Sequence, residues 1–480
     1  MTGILLLLSP HMTGLIFGVE LIHGLNENSV EGEEEVPRST LQAPPTLSTC
    51  TVEVTEDQQL MLEFVNAFAG VDPSDSQSTV LGSHYFDLQV YVSYNESDRR
   101  LYDVDFHVNE LTDRMEEQTV TKVQSRVHTF QVSYQKGLTI FRNFRPLLER
   151  NSTNSSTPLY GILLENQNSR LLVADATESV IREVNLQENS NDSLALAADS
   201  ILLRLDQREL GPYRISKRPT LADSQPDSMY YVAWADRIAA VASVDRTIGR
   251  PHRQHQHFEL KTLAGPSTTP QYNLTTGFSD GAEGSEVRFD WPGITSRSVS
   301  ADGRYLYIVD ISNNAIRRVN TMTGATETIA GPPAQARRAA ISASAPFPVT
   351  LELPYSLALT RDGCNLFVAE AQGGVIRWLK FDRSDGNVIE SQVVVTCINR
   401  DGSQAPVRCV TLSDDDEFLF VGVQDWIYHY RVKTELLHKC TGGAQRTSLI
   451  DNIAGRMPPQ RHFGMVTVSL AVVMYLALFV

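Results

Sequence analysis

The chain has 480 residues, a formal net charge of −16 and a pI near 5.2. That balance excludes a general phosphate-binding surface, because nucleic-acid binders cluster Lys and Arg. The one short basic run, ARRAA at 336–340, reads as a solvated loop, so no nucleic-acid partner is expected.

In chain order, residues 1–26 form an apolar leader, with GILLLL (3–8) and GLIFGVELI (14–22) split by Pro10 and His11. It has the apolar core of a secretory signal but no basic residue ahead of it. Residues 27–48 are acidic and Pro-rich and read as a disordered linker. Residues 49–150 are β-rich: 84–95, 100–111 and 125–134 alternate as strands do. They supply either an extra blade of the domain that follows or a separate cap.

Residues 151–441 carry an internal repeat. RLLVADATESVIREV (170–184), YLYIVDISNNAIRRV (305–319) and NLFVAEAQGGVIRWL (365–379) share one strand–turn–strand pattern. In each, a strand ends in an acid and an Arg follows seven residues later: Asp175 with Arg182, Asp310 with Arg317, and Glu370 with Arg377. With a four-residue loop these charges are expected opposite one another, as cross-strand pairs that pin register and contribute up to about 1 kcal/mol. Their expected role is structural, not catalytic. Each unit opens with Pro, passes a turn (Asp302-Gly303 and Asp362-Gly363 in two of them), and ends in a fourth short strand at 194–198, 326–330 or 391–396. Degenerate units occupy 218–265 and 405–432. Four antiparallel strands per unit make one propeller blade, so the fold class is all-β: a β-propeller of about six blades, five of them readable.

Cys364, Cys397, Cys409 and Cys440 cluster late in the chain, and Cys50 stands apart. Four cysteines allow three pairings, which spacing does not decide. No C-x-x-C pair occurs, which disfavours zinc. The weak metal candidates are His252, His255 and His257, but they share one polar inter-blade loop, whereas ligands at a propeller axis would come from separate blades. The acidic run 413–417 lacks calcium-loop spacing and stands where other units have their turn. Hence no cofactor is expected. Asn95, Asn151, Asn154, Asn191 and Asn273 begin glycosylation sequons.

Residues 442–463 form a linker, and 464–480 (GMVTVSLAVVMYLALFV) an uncharged apolar tail, expected to be helical. Small residues around Asn452, a polar spacer and an apolar tail are the parts of a GPI-attachment signal, with Asn452 as the ω site. A retained transmembrane helix is the alternative.

The unit at 277–331 resembles an NHL repeat: Gly277 to Gly281, Phe289, Pro292-Gly293-Ile294, Asp302-Gly303, Tyr307 to Asp310, Asn313 to Arg317 and Thr328 to Gly331 carry the likeness. It is fair at 353–379 and 158–184, poor elsewhere, and spans about half the chain. The resemblance implies a propeller that acts by binding protein or ligand, and some relatives with this fold are metal-dependent lyases or hydrolases. The expected function is therefore a membrane-attached, extracellular propeller that binds a protein or glycan through inter-blade loops at 208–225, 243–256 and 332–350. The alternatives are a metal-dependent hydrolase or lyase, and a cytosolic tail-anchored scaffold.

Overall fold

The computed structural model describes residues 48–440 except 56–58, 70–78, 81–85, 96–99, 111–125, 136–137, 150–159, 166–169, 177, 189–193, 205–210, 220–228, 245–256, 268–274, 332–346, 385 and 425. The leader, the linker up to residue 47, the spacer and the apolar tail lie outside the described residues. No support therefore exists for the expected tail helix. Among the described residues no helix is long and apolar enough to cross a membrane.

The first strands are β1 (Thr49–Val52), β2 (Leu62–Ala69), β3 (Thr79–Val80), β4 (Phe86–Asn95), β5 (Arg100–Glu110), β6 (Arg126–Gln135) and β7 (Leu138–Glu149). Blade 1 follows with β8 (Tyr160–Glu165), β9 (Arg170–Asp175), β10 (Val180–Glu188) and β11 (Leu194–Arg204). Blade 2 has β12 (Arg214–Lys217), β13 (Met229–Ala233), β14 (Ile238–Val244) and β15 (His257–Ala264). Blade 3 has β16 (Pro292–Gly293), β17 (Tyr305–Asp310), β18 (Ala315–Asn320) and β19 (Thr326–Gly331), with β20 (Phe347–Pro348) added in parallel at its edge. Blade 4 has β21 (Pro354–Leu359), β22 (Asn365–Glu370), β23 (Val375–Phe381) and β24 (Val388–Ile398). Blade 5 has β25 (Val407–Leu412), β26 (Phe418–Val423) and β27 (Trp426–Val432).

These five sheets are propeller blades, each an antiparallel run in chain order from the inner strand outward. Blade 2 begins earlier than its sequence unit suggests: the inner strand is Arg214–Lys217, ahead of residue 218. Blade 5 has three strands of its own and takes its outer strand from β2, which pairs along β27. β1 likewise extends blade 4 outside β24. The start of the described chain thus fastens the last two blades. A sixth sheet, ordered β3-β7-β6-β4-β5, is wound differently. Its edge strand β5 packs against β25 on one side and β8 on the other, in line with the inner strands of the five blades.

Blade stacking explains why the repeated strands read as almost unbroken apolar runs. In β17, Leu306 and Ile308 face blade 2, packing with Tyr231 and Ala233, whereas Tyr307 and Val309 face blade 4, packing with Leu357 and Leu366. In β22, Leu366 and Val368 join blade 3 while Phe367 and Ala369 join blade 5. Alternate residues point to opposite faces, and both faces are covered. Each such side chain removed from water stabilises by about 1.5–3 kcal/mol.

Two disulfides hold the closure. Cys50 and Cys397 stand directly opposite on β1 and β24 and are bonded. Cys364–Cys440 ties the end of the described chain to the turn before β22. Spacing had grouped Cys50 apart from the others, yet Cys50 takes a late partner and Cys409 is left free and buried. The reason is topological: a ring brings the start of the chain beside its end.

Candidate binding site at the axis

The three acid–arginine pairs form within their hairpins, but diagonally. Asp310 stands opposite Ala315 and Arg317 opposite Ile308, so a tight four-residue turn places positions five apart, not seven apart, face to face. The other two hairpins have the same register. The long arginine spans the offset: Arg182 Nε lies 3.7 Å from Asp175 Oδ2 and Arg317 Nη1 2.6 Å from Asp310 Oδ2, and Arg377 bonds Glu370. The blade 3 pair is wholly buried. Arg317 also donates to Asp280 Oδ1 (2.9 Å from Nε) and to the carbonyl of Ser279 (2.7 Å), and it lies between the rings of Phe278 and Phe289. Asp310 accepts the Asp290 amide at 2.8 Å, and burial pushes its carboxyl up to about 6 against the pull of Arg317. This network is a blade strut, larger in effect than an exposed cross-strand pair.

Acidic run 413–417 forms the turn before β26. Asp416 adopts φ +62°, which Asp tolerates, and accepts both the Arg361 amide (2.7 Å) and the Arg297 side chain. Of the histidines, His257 opens β15, while His252 and His255 lie outside the described residues. Among the described residues no three His, Cys, Asp or Glu converge to hold a metal. Asn95 closes β4; Asn151, Asn154, Asn191, Asn273 and Asn452 lie outside the described residues. Most of the three candidate loops lies there too.

A different cluster gathers where the inner strands begin. An inner strand leaves one edge of backbone amides unpaired, and the neighbouring sheet must satisfy them. Between β5 and β8 this is done by carboxylates: Asp103 Oδ2 accepts the Ile162 amide and Asp105 Oδ2 the Leu164 amide, each at 2.8 Å. Between β21 and β25, Ser356 Oγ serves Val410, and between β12 and β16 the Tyr213 hydroxyl donates to the Pro292 carbonyl at 2.7 Å. Gly161 permits the closest approach. A Cβ there would stand 2.5 Å from the Arg214 Cα, so only glycine lets β8 lie against β12.

These contacts converge on Arg214, the first residue of β12, which is 2 % exposed. Its guanidinium lies 5.9 Å from the Tyr213 ring centre and 5.4 Å from that of Tyr355. Arg408, from β25, lies 5.2 Å from the centre of the same Tyr355 ring. Trp291, just before β16, stacks obliquely on Tyr213 at 5.4 Å, is 37 % exposed, and takes the left-handed φ of +57°. One row of rings and cations therefore runs Trp291, Tyr213, Arg214, Tyr355, Arg408, drawn from blades 2, 3, 4 and 5. Arg214 Nη1 has no hydrogen-bond partner. Burial opposes its charge, but Asp103 and the neighbouring tyrosines raise its pKa overall. The Asp103 carboxylate is already used by the amides of Ile162 and Val104, and burial lifts its pKa to about 6. Cys409 lines the same wall, and burial pushes its thiol up to about 12, so it is a poor nucleophile. Ser296 Oγ of blade 3 donates to Asp105 Oδ1 at 3.3 Å.

None of this row stood out in the sequence. One signal could have shown it. Each unit opens with Pro; counted from Pro212, Pro354 and Pro406, Tyr213 and Tyr355 share one register, and Arg214 and Arg408 the next.

No family model matches the chain and no curated protein matches it, so the NHL likeness rests on its motif alone. Solved structures show distant similarity. They include a putative 6-phosphogluconolactonase from Bacteroides uniformis (13 % identity, TM-score 0.37, 73 % of this chain and 80 % of that one). A nidogen/laminin complex matches at 12 % identity and TM-score 0.35, over 70 % of this chain and 84 % of that one. An auxiliary nutrient binding protein from Bacteroides thetaiotaomicron matches at 10 % identity and TM-score 0.36, over 74 % and 77 %. Likeness this distant carries nothing about activity.

Proposed function

We propose that this chain is a propeller binding module of the secretory pathway, attached to a membrane through its C-terminal tail, that takes a protein or glycan ligand at the axial mouth. The observation that carries the binding reading is the row from Trp291 to Arg408. It combines a half-exposed strained tryptophan with a buried arginine whose Nη1 is unpartnered, and such groups persist where a ligand uses them. The disulfides Cys50–Cys397 and Cys364–Cys440 support an oxidising compartment. The small residues around Asn452 and the apolar tail support lipid attachment there.

Two measurements on cells making the full chain test this. Phosphatidylinositol-specific phospholipase C should release it, and PNGase F should shift its mobility. A chain that resists surface protease in intact cells and carries free thiols at Cys50 and Cys397 contradicts the location. For the binding role, the released protein is screened against oligosaccharides and surface proteins. A ligand whose retention falls in W291A supports the axial site; ligands all indifferent to W291A and R408Q contradict it.

A further inference from the structure

We infer that the axial mouth recognises a sugar bearing a carboxylate, with Arg214 and Arg408 taking the acid and Trp291 the face of the ring. This rests on the binding-module reading above. A guanidinium removed from water without a partner is costly, and Arg317, buried to a similar degree, is fully bonded. Arg214 is 2 % exposed, with Nη1 facing no acceptor. Arg408 is half-buried and, among the described residues, has a ring contact with Tyr355 and no ion pair. Asp103 acts on Arg214 through its charge, bonds the amides of Ile162 and Val104, and makes no hydrogen bond to Nη1. Two guanidinium groups beside one tyrosine ring, one of them with a hydrogen bond left to make, match a planar carboxylate.

The rest of the ligand follows from the surroundings. The row is built where the inner strands of four blades begin, which suits the end of a molecule better than an extended strand. The half-exposed Trp291 ring at its edge offers a flat apolar platform. A net charge of −16 on the whole chain repels a polyanion from a distance, so a single acid group suits the mouth better than a sulfated or phosphate polymer. A terminal uronic acid has one carboxylate on a rigid ring with an apolar face.

Calorimetry on the full-length protein tests this with a glucuronate-terminated oligosaccharide, its methyl ester, its neutral glucose-terminated analogue, and a short peptide with a free terminal carboxylate. The acid sugar should bind, and the ester and neutral analogue should bind about tenfold more weakly or worse, the value of a charge-assisted hydrogen bond. R408Q, at a half-exposed position, should weaken the acid by a similar factor and leave thermal unfolding unchanged. High salt should weaken it as well. Equal binding of acid and ester, or indifference to R408Q, overturns the inference. Neutral sugars that bind and depend on Trp291 overturn it while the binding-module reading stands. Capture of the peptide with no acid sugar bound also overturns it.

Discussion

Two arginines buried in this propeller differ in one respect. Arg317, inside blade 3, is bonded by Asp280, Asp310 and backbone carbonyls, and lies between two phenylalanine rings. Arg214, where the inner strands begin, has comparable burial and aromatic neighbours, yet its Nη1 meets no acceptor. A bonded buried charge holds its neighbours in place, because removing one partner strands the rest. An unbonded one contributes little to folding and is useful only if something arrives to complete it. The contrast separates the scaffold from the site within a single ring.

The largest expected effect lies on the scaffold side. Arg317→Ala leaves two buried carboxylates without their cation and should cost about 3–5 kcal/mol in chemical denaturation; a cost below about 1 kcal/mol would erase the distinction. Next, Cys397→Ser releases β1 from β24 and should cost about 2–5 kcal/mol under oxidising conditions, with no change relative to wild type once both are reduced. Asp103→Asn probes the electrostatics of the axis. Burial raises the Asp103 pKa in the folded chain to about 6, above its unfolded value. Stability from its neutral form is thus present below about pH 4 and lost as pH rises through about 6. Asn keeps the neutral form, so wild type should lose roughly 2 kcal/mol relative to D103N between pH 4 and pH 7. A constant difference across that range would show that Asp103 is better solvated than its position implies. The smallest effect belongs to Arg214→Met, which removes a cation whose Nη1 has no partner but also takes its charge from beside Asp103, so the net change should stay within about 1 kcal/mol. A loss of several kcal/mol would mean that Arg214 is a strut like Arg317.

Blades were legible where strands repeat. Both faces of β17 and β22 are covered, so the apolar runs are long, and the Asp-Gly turns at 302–303 and 362–363 mark them; Gly303 and Gly363 take φ of +69° and +73°. The acid–arginine spacing was visible, although its diagonal geometry needed the register. What stayed hidden is what the ring assembles from distant segments. β2 completes blade 5 from the far end of the described chain, and Cys50 meets Cys397 across 347 residues. The sixth sheet has its own strand order, which matches no repeat. The axial row was hidden for the same reason. Tyr213, Trp291, Tyr355 and Arg408 lie in different units, and each looks ordinary in its own.

The most direct test is the thermal unfolding of wild-type protein and R214M with and without saturating glucuronate. The account predicts that glucuronate raises the midpoint of the wild type and leaves R214M unmoved, because ligand binding adds stability only where the site exists. Equal shifts in both proteins, or none in the wild type, would contradict it.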